Sequence, residues 1–314
     1  MLSFSTCWNS ARHTEGEALV EEIAALGFDS LEISHGLKVS LLPGIKKAFE
    51  AGRIKISGLH NFCPSPVEVM IDAPDVYEFT SHRPHERERA MALTLKTLEF
   101  AAQFQARYLV LHLGSVPLRK FTAQLEEIAR AGRLNTREYV RLKLRLVEAR
   151  EKVAPLYLSR AREALEQIAE KAKIEGVPVA VESRSHFEQV PTEREMEQLM
   201  DHFQDNPWVG YWHDFGHVQR KHNLGLLDHL EWIRRMQAHW LGCHLHDVKW
   251  PARDHRVPLT AGGVDFDQLM PHVPLGKPVV WEISSRRRKE TILEMLPQWR
   301  QKFGEPTANF QARE

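Results

Sequence analysis

The sequence has little cysteine and no net charge. Its 314 residues include three cysteines, Cys7, Cys63 and Cys243, which lie far apart and form no Cys-x-x-Cys motif. A disulfide framework and a cysteine-based metal or redox motif are therefore excluded, and reduced thiols are expected. Lys+Arg and Asp+Glu both number 42, so the net charge is zero with neutral histidines. This balance provides no general attraction to nucleic acids or anionic membranes.

Long apolar runs are also lacking. No uncharged apolar stretch approaches the roughly 20 residues that a membrane-spanning helix needs, so no membrane partner is expected. The segment 1–5 has neither the charged n-region nor the apolar h-region of a signal peptide, and a cytoplasmic location is the expectation. Hydrophobic residues still make up 43% of the chain, which is enough for a sizeable core.

The residues that are present alternate between strand and helix patterns. Strands are predicted in eight β-branched or apolar stretches, at 2–6, 29–34, 55–60, 108–112, 178–182, 208–214, 241–246 and 279–283. Helices are predicted between them, at 17–26, 43–49, 86–105, 155–175, 192–203, 226–236, 266–270 and 289–303. We see no internal repeat and no second composition regime. The alternation predicts an α/β fold, one (β/α)₈ TIM barrel domain over residues 1–314.

Residues 117–152 interrupt this alternation. The segment is highly charged, carries apolar residues at helical spacing, such as Leu125, Ile128 and Ala129, and is too long for an ordinary connection. We therefore predict a helical insertion after strand four. Three interpretations stay open: a lid over the barrel mouth, an arm that grips a second subunit of a homo-oligomer, and a solvated helical hairpin.

Polar side chains follow the ends of several predicted strands. In a barrel of this type the active site forms at the carboxyl ends of the strands, so side chains there are the candidates for function. A lone carboxylate or imidazole in such a place is more often a salt-bridged or solvated rim residue than a metal ligand. The candidates are Trp8, Glu32, His35, His60, His112, Glu182, Asp214, His217, His244, His246, Asp247 and Glu282.

The last four strands carry the strongest pattern. Glu182 and Glu282 each end an apolar run, and an unpaired carboxylate that faces a barrel mouth is costly unless a cation compensates it. Asp214 and His244 end the two strands between them. Carboxylate and imidazole ligands together suit Mn, Mg, Co or Zn. We prefer His244 to His246 because alternate residues of a strand point to opposite faces.

Seven short motifs occur in a recognisable order at these strand ends. They are GFDSLEIS at 27–34, SGLH at 57–60, LHLG at 111–114, VE at 181–182, DFGH at 214–217, CHLHD at 243–247 and WE at 281–282. With this set the chain resembles the sugar phosphate isomerase/epimerase family, which has the xylose isomerase-like barrel. Each motif alone is weak, and the ordered set is specific for the superfamily rather than for one reaction.

The resemblance implies roles for individual residues. It implies that one divalent metal ion is bound by Glu182, Asp214, His244 and Glu282. It also implies that the two glutamates move a proton at a carbon next to a metal-bound carbonyl of a small sugar, sugar phosphate or polyol. The implied substrate contacts are His60, His112, His217, Arg256 and Trp8.

Two other activities of related barrels stay open. Metal-dependent apurinic endonucleases of the endonuclease four type hold several metals at positions that match His60, His112, Glu182, Asp214, His217, His244 and Glu282. Those enzymes have an Asp-x-His after strand seven, whereas this chain reads Asp254-His255-Arg256, which places Arg256 at a ligand position. This departure and the zero net charge argue against a nucleic-acid substrate. A dehydratase of keto-polyols with the same metal and glutamates is not distinguished by the sequence.

Overall fold

A closed parallel barrel is the framework of the protein. The computed structural model describes residues 1–69, 74–251 and 253–304. Each barrel strand pairs with its neighbours in chain order, and the first strand closes the barrel against the last. The strands are β1 Leu2–Ser5, β2 Ser30–Ile33, β3 Lys55–His60, β4 Leu109–Leu111, β5 Val179–Glu182, β6 Val209–Asp214, β7 Trp240–Leu245 and β8 Val279–Trp281. The predicted TIM barrel is confirmed.

Helices surround this barrel. They are α1 Gly16–Ala24, α2 Leu42–Glu50, α3 Pro84–Gln103, α4 Phe121–Arg130, α5 Arg137–Glu175, α6 Glu193–His202, α7 Phe215–Asn223, α8 His229–Met236, α9 Phe266–Leu269 and α10 Lys289–Phe303. The predicted capping box opens α6, where the Thr192 backbone N–H donates to the Glu195 carboxylate at 2.8 Å. No helix in the described ranges is both long enough and apolar enough to cross a bilayer.

Large aromatic side chains fill the barrel interior beneath the strand ends. Tyr108 and Trp212 lie with ring centroids 4.3 Å apart. Gly58 and Gly242 make room for them, since a β-carbon at either glycine would come within 2.2 Å of the Tyr108 or Trp212 ring. These rings therefore pack closely in the barrel interior, below the mouth where the active sites of such barrels form.

The predicted insertion is helical, but its boundary with the following helix is wrong. Residues 117–152 contain α4 and the first part of α5, and α5 continues without a break through Pro155 to Glu175. A proline removes one helical hydrogen bond to the residue four before it. Pro155 and Glu151 are both exposed, so the carbonyl group left without that bond can face water. Buried Ala154 before the proline and buried Ala161 and Leu165 after it pack the helix on both sides of the proline.

The helix α7 and two small two-stranded sheets were missed. Helix α7 begins directly at the end of β6, where the Asp214 carboxylate caps it by accepting from the His217 backbone N–H at 2.7 Å. Its sequence is mostly polar, so the apolar periodicity that predicts a helix is weak. One sheet pairs Gly114–Ser115 with Gln189–Val190 in antiparallel fashion, and the other is a hairpin of Asp247–Lys249 with Arg253–Arg256. Both lie beyond the carboxyl ends of barrel strands and help to build the mouth.

Candidate active site

Four predicted metal ligands converge at the carboxyl end of the barrel. Glu182 ends β5, Asp214 ends β6, His244 lies near the end of β7 and Glu282 follows β8. Each of these residues offers a ligand atom within 4.8 Å of those of the other three, and all four side chains are buried. The strands bring them together because parallel strands of a barrel end at one rim.

The orientation of His244 fits a bound cation. Its Nε2 lies 3.2 Å from both carboxylate oxygens of Glu32, so this nitrogen carries the proton and donates. Its Nδ1 is buried and has no hydrogen-bond partner among the described residues. That nitrogen lies 3.4 Å from Glu282 Oε2, 3.6 Å from Glu182 Oε1 and 3.8 Å from Asp214 Oδ2. A lone pair aimed among three carboxylates is the arrangement that a divalent cation satisfies.

The electrostatics of the group support the same conclusion. Burial lowers the pKa of His244, but the charges of Glu282 and Glu32 outweigh it and raise that pKa well above its ordinary value. The carboxylates therefore stabilise positive charge at this point, whether it is a proton or a metal ion. Burial raises the pKa of Glu282, but His244 and His255 hold it well below its usual range.

Glu32, on β2, positions the His244 ring by accepting from its Nε2, the nitrogen that points away from the other three carboxylates. It is completely buried, and the hydroxyl group of Tyr108 donates to its Oε2 at 3.0 Å. A metal-binding imidazole commonly donates its other N–H to a carboxylate in this way, which fixes its ring orientation. The sequence marked Glu32 as a candidate without a role, and the structure places it behind the ligand group.

His60 and His112 both approach one carboxylate oxygen of Glu182. The Nδ1 of His60 donates to the Asn61 carbonyl oxygen at 2.9 Å, and the Nδ1 of His112 donates to Asp75 at 2.9 Å. Both Nε2 atoms therefore face the same oxygen, Oε2 of Glu182, at 3.1 and 2.8 Å. These three side chains form a second group with metal-ligand spacing.

A third group consists of His217, His246 and His255. His217 Nδ1 lies 3.3 Å from Glu182 Oε1, and His246 Nε2 lies 2.9 Å from Asp214 Oδ1. Because β7 ends at Leu245, His246 lies beyond the strand and strand alternation does not apply to it. The expectation that only one of His244 and His246 faces the site is therefore wrong, since both approach Asp214.

His255 was missed by the sequence analysis. Its ring stacks on that of His246 with centroids 4.1 Å apart, and its Nε2 lies 3.4 Å from Glu282 Oε2. Its backbone has a positive φ of 50°, an uncommon conformation outside glycine that turns the chain at this point. The only sequence signal was the Asp254-His255 pair, which stands one residue away from the position that the endonuclease pattern requires.

Comparison with known proteins identifies the family. The family profile described as xylose isomerase-like TIM barrel matches residues 20–302. The chain belongs to this family. No curated protein matches the chain by sequence.

Solved structures of xylose isomerase-like and related barrels share the fold. A D-tagatose 3-epimerase-like protein superposes with a TM-score of 0.67 at 16% identity, over 96% of this chain and 97% of that one. The 3-keto-D-glucoside 4-epimerase YcjR from E. coli has a TM-score of 0.65 at 14% identity, over 96% and 98% of the two chains. The IolI protein, solved with a bound zinc atom, has a TM-score of 0.65 at 14% identity, over 96% and 97%. At these identities the likeness shows the fold alone.

In this xylose isomerase-like barrel the strand-end candidate Asp247 organises a loop. Its carboxylate accepts hydrogen bonds from the backbone N–H groups of Val248, Ala261, Gly262, Gly263 and Val264 at 2.7 to 3.1 Å. Gly263 allows this close approach, because a β-carbon there would lie 1.8 Å from the Val248 carbonyl oxygen. Asp247 is thus committed to the backbone of the loop and not to the ligand groups.

Trp8 and Arg256, two predicted substrate contacts, lie around the mouth. Trp8 is 1% exposed and packs edge-on against Phe4, and its Nε1 donates to the Arg287 carbonyl oxygen at 2.9 Å. Arg256 is partly buried at the end of the Arg253–Arg256 hairpin strand. Contact of either residue with a substrate stays a prediction.

A cavity of about 550 Å³ opens beside Glu282 and His255. This volume lies within the usual range of small-molecule sites, roughly 300 to 1,000 Å³. A larger groove of about 1240 Å³ runs between α5, α6 and α8. None of the predicted ligands or substrate contacts lines the larger groove, so we take the smaller cavity as the entrance to the site.

Proposed function

We propose that the protein is a divalent-metal-dependent isomerase or epimerase of a small sugar or polyol. The observation that carries this proposal is the buried group of Glu182, Asp214, Glu282 and His244, in which the Nδ1 lone pair of His244 faces three carboxylates. Membership of a family whose structural relatives include sugar epimerases supports the reaction class.

The two glutamates are suited to moving a proton. Burial raises the pKa of Glu182, but His112, His217 and His244 hold it well below its usual range. Glu182 and Glu282 are therefore both ionised and able to accept a proton from carbon. A metal ion bound by the four ligands would polarise the substrate carbonyl and acidify the adjacent C–H group.

The surrounding histidines fix the geometry of Glu182. His60 and His112 both approach its Oε2, while His217 approaches its Oε1. We propose that Glu182 removes the proton from one face of the substrate and that Glu282 returns it on the other. His217, which is partly exposed, is placed to hold a substrate hydroxyl group.

The first test is the number of metal ions per chain. Elemental analysis after equilibrium dialysis against Mn or Zn should find one ion in the wild type and in Glu290→Gln, a control at an exposed glutamate. Glu182→Gln should lose the ion or bind it much more weakly. Retention of a full equivalent of metal by Glu182→Gln would contradict the ligand assignment.

The second test measures the proton transfer itself. Metal-loaded protein is incubated with ketoses and inosose-like polyols in D₂O, and deuterium incorporation is followed by NMR. Because Glu182 is the proposed general base, Glu182→Gln should reduce the exchange rate by roughly 10² to 10⁴. The control Glu290→Gln should exchange at the wild-type rate. Loss of water from the substrate in place of exchange would instead indicate a keto-polyol dehydratase.

A phosphodiester hydrolase is the second candidate. The observation that favours it is the presence of three further ligand groups. They are His60 with His112 and Glu182, His35 with His60 and Glu282, and His217 with His246 and His255. This function predicts two or three ions per chain in the dialysis experiment. It also predicts nicking of duplex DNA that carries an abasic site.

A further inference from the structure

An unusual concentration of arginine lies at the mouth of the barrel. Arg253, Arg286 and Arg287 line the cavity of about 550 Å³ that also contains Glu282 and His255. Arg256 belongs to the same electrostatic group, since its charge, with those of Arg286 and Arg253, acts on Arg287. The four residues come from one hairpin and from the loop after β8, two segments that the barrel brings together.

These arginines have no carboxylate partner in the described part of the chain. Burial lowers the pKa of Arg287, and the positive charges of Arg256, Arg286 and Arg253 lower it further. The Nε atoms of Arg256 and Arg287 are buried without a hydrogen-bond partner among the described residues. Buried donors of charged groups are normally paired, so these two Nε–H groups are available to a ligand.

The carboxylates that line the same cavity are already engaged elsewhere. Asp254 Oδ2 accepts from Arg220 at 2.6 Å, and Asp254 Oδ1 lies 3.2 Å from His255 Nδ1. Glu282 faces His244 and His255. The cavity therefore has an acidic, ligand-bearing end and a basic end whose charge is uncompensated.

The basic end is also held in place. The Arg287 carbonyl oxygen accepts from Trp8 Nε1 at 2.9 Å, and the Arg287 backbone N–H donates to the Ser284 carbonyl oxygen at 2.9 Å. The Ser284 backbone N–H in turn donates to the His255 carbonyl oxygen at 3.0 Å, which ties this loop to the Arg253–Arg256 hairpin. The backbone that carries these arginines is therefore held in place, and clustered guanidinium groups are the donors that recognise phosphate or carboxylate groups.

We infer that the substrate carries an anionic group, a phosphate or a carboxylate, which binds to Arg287, Arg256, Arg253 and Arg286 while its polyol end faces Glu282. This inference rests on the proposed function and names its substrate class. The size of the cavity favours a small molecule over a nucleic acid.

The first experiment uses inorganic phosphate and acetate as probes of the basic end alone. Calorimetric titration is done on chelator-treated protein, so that a metal ion does not bind the probe. We expect Arg287→Met and Arg256→Met each to weaken binding of the preferred anion at least tenfold. Arg288→Met, at the exposed neighbouring residue outside the cavity, should change it less than twofold. Failure of the wild type to bind either anion, or equal binding by Arg287→Met, would overturn the inference.

The second experiment compares matched substrates. Deuterium exchange is measured for ketoses, their phosphate esters and the corresponding keto-acids with metal-loaded protein. We expect kcat/KM for one anionic class to exceed that of the parent ketose at least tenfold, and this ratio to fall towards one in Arg287→Met but not in Arg288→Met. The better class identifies phosphate or carboxylate as the recognised group.

The two proposals fail in different ways. Equal exchange of neutral and anionic ketoses would overturn the inference and leave the isomerase intact. Arg287-dependent phosphate binding without exchange of any ketose would support the anion site and contradict the proposed function. Nicking of abasic duplex DNA that depends on Arg287 would overturn the assignment to a small molecule.

Discussion

Two sets of arginines lie close to the candidate site and differ in their partners. Arg184 and Arg220 are buried and each forms ion pairs with carboxylates, Arg184 with Asp75 and Arg220 with Glu126 and Asp254. Arg287 and its neighbours Arg253, Arg256 and Arg286 have no such partner in the part of the chain that the structure describes. The first set stabilises the fold, whereas the second is suited to a ligand.

The pKa values of these arginines differ between the paired and the unpaired set in the same way. Burial lowers the pKa of Arg184 and Arg220, but Asp75 in one case and Asp254 with Glu126 in the other raise it above the ordinary value. The pKa of Arg287 is lowered both by burial and by its arginine neighbours. The same side chain is thus structural or functional according to the charges that surround it.

Removal of Arg220 should have the largest effect on stability. Arg220→Met leaves two carboxylates without their shared partner, Glu126 on α4 and Asp254 beside His255. Breaking a buried pair typically costs about 3 to 5 kcal/mol, and we expect the upper part of this range. Urea unfolding measures the loss. Arg287→Met is the matched control and should change the free energy of unfolding by no more than about 0.5 kcal/mol. Equal losses in the two variants would remove the distinction between the two sets.

Removal of Arg184 should have a smaller effect. Arg184→Met leaves Asp75 with His112 as its remaining partner, and the Asp75 side chain is 36% exposed, so water can hydrate it. We expect a loss of about 3 kcal/mol, the lower end of the range for a broken buried pair. The double variant Arg184→Met with Asp75→Asn should recover part of this loss, because it removes the carboxylate charge that Arg184 compensated. A double variant that is less stable than Arg184→Met would show that the pair acts in another way.

The exposed pair of Arg12 and Glu22 should have the smallest effect. Burial raises the pKa of Glu22, but hydrogen bonds from Arg12, His13 and Asn9 outweigh it and hold that pKa at about 2. An unfolded glutamate titrates near pH 4.3, so the carboxylate stabilises the fold above that pH and loses this contribution as the pH falls towards 2.

Glu22→Gln tests this contribution. The variant should be less stable than the wild type by up to about 1 kcal/mol at pH 7. Urea midpoints measured at pH 7, 5 and 3.5 should show the difference shrinking at the lowest pH. A difference that does not change with pH would mean that the Glu22 charge contributes nothing.

The barrel and the convergence of four strand-end residues at its mouth could be predicted from the sequence. The alternation of strands and helices specifies the barrel, and barrel geometry then forces the strand ends together. Glu182, Asp214, His244 and Glu282 were recognisable because each lies at or next to such an end. The continuous helix through Pro155 was not predictable in the same way, because local preference argues for a break and tertiary packing overrides it.

Loop residues were the harder part of the site. His255 and Asp75 lie in segments without helical or strand periodicity, so no pattern aims their side chains. His112 reaches Asp75 across 37 positions in the sequence, and Asp75 in turn holds Arg184, 109 positions away. Such partners are decided by the path of the loops and not by local sequence.

The sequence by itself determined that strands and helices alternate and that acidic and imidazole side chains end the last four strands. The periodicity of apolar residues and the positions of polar residues along the chain carry this information. Closure of the barrel then brings the strand ends together at one rim. The tertiary structure alone decided which nitrogen of His244 faces the carboxylates and which arginines are paired. These features depend on distances between residues far apart in the chain, such as Arg220 and Glu126, 94 positions apart, and no local pattern encodes them.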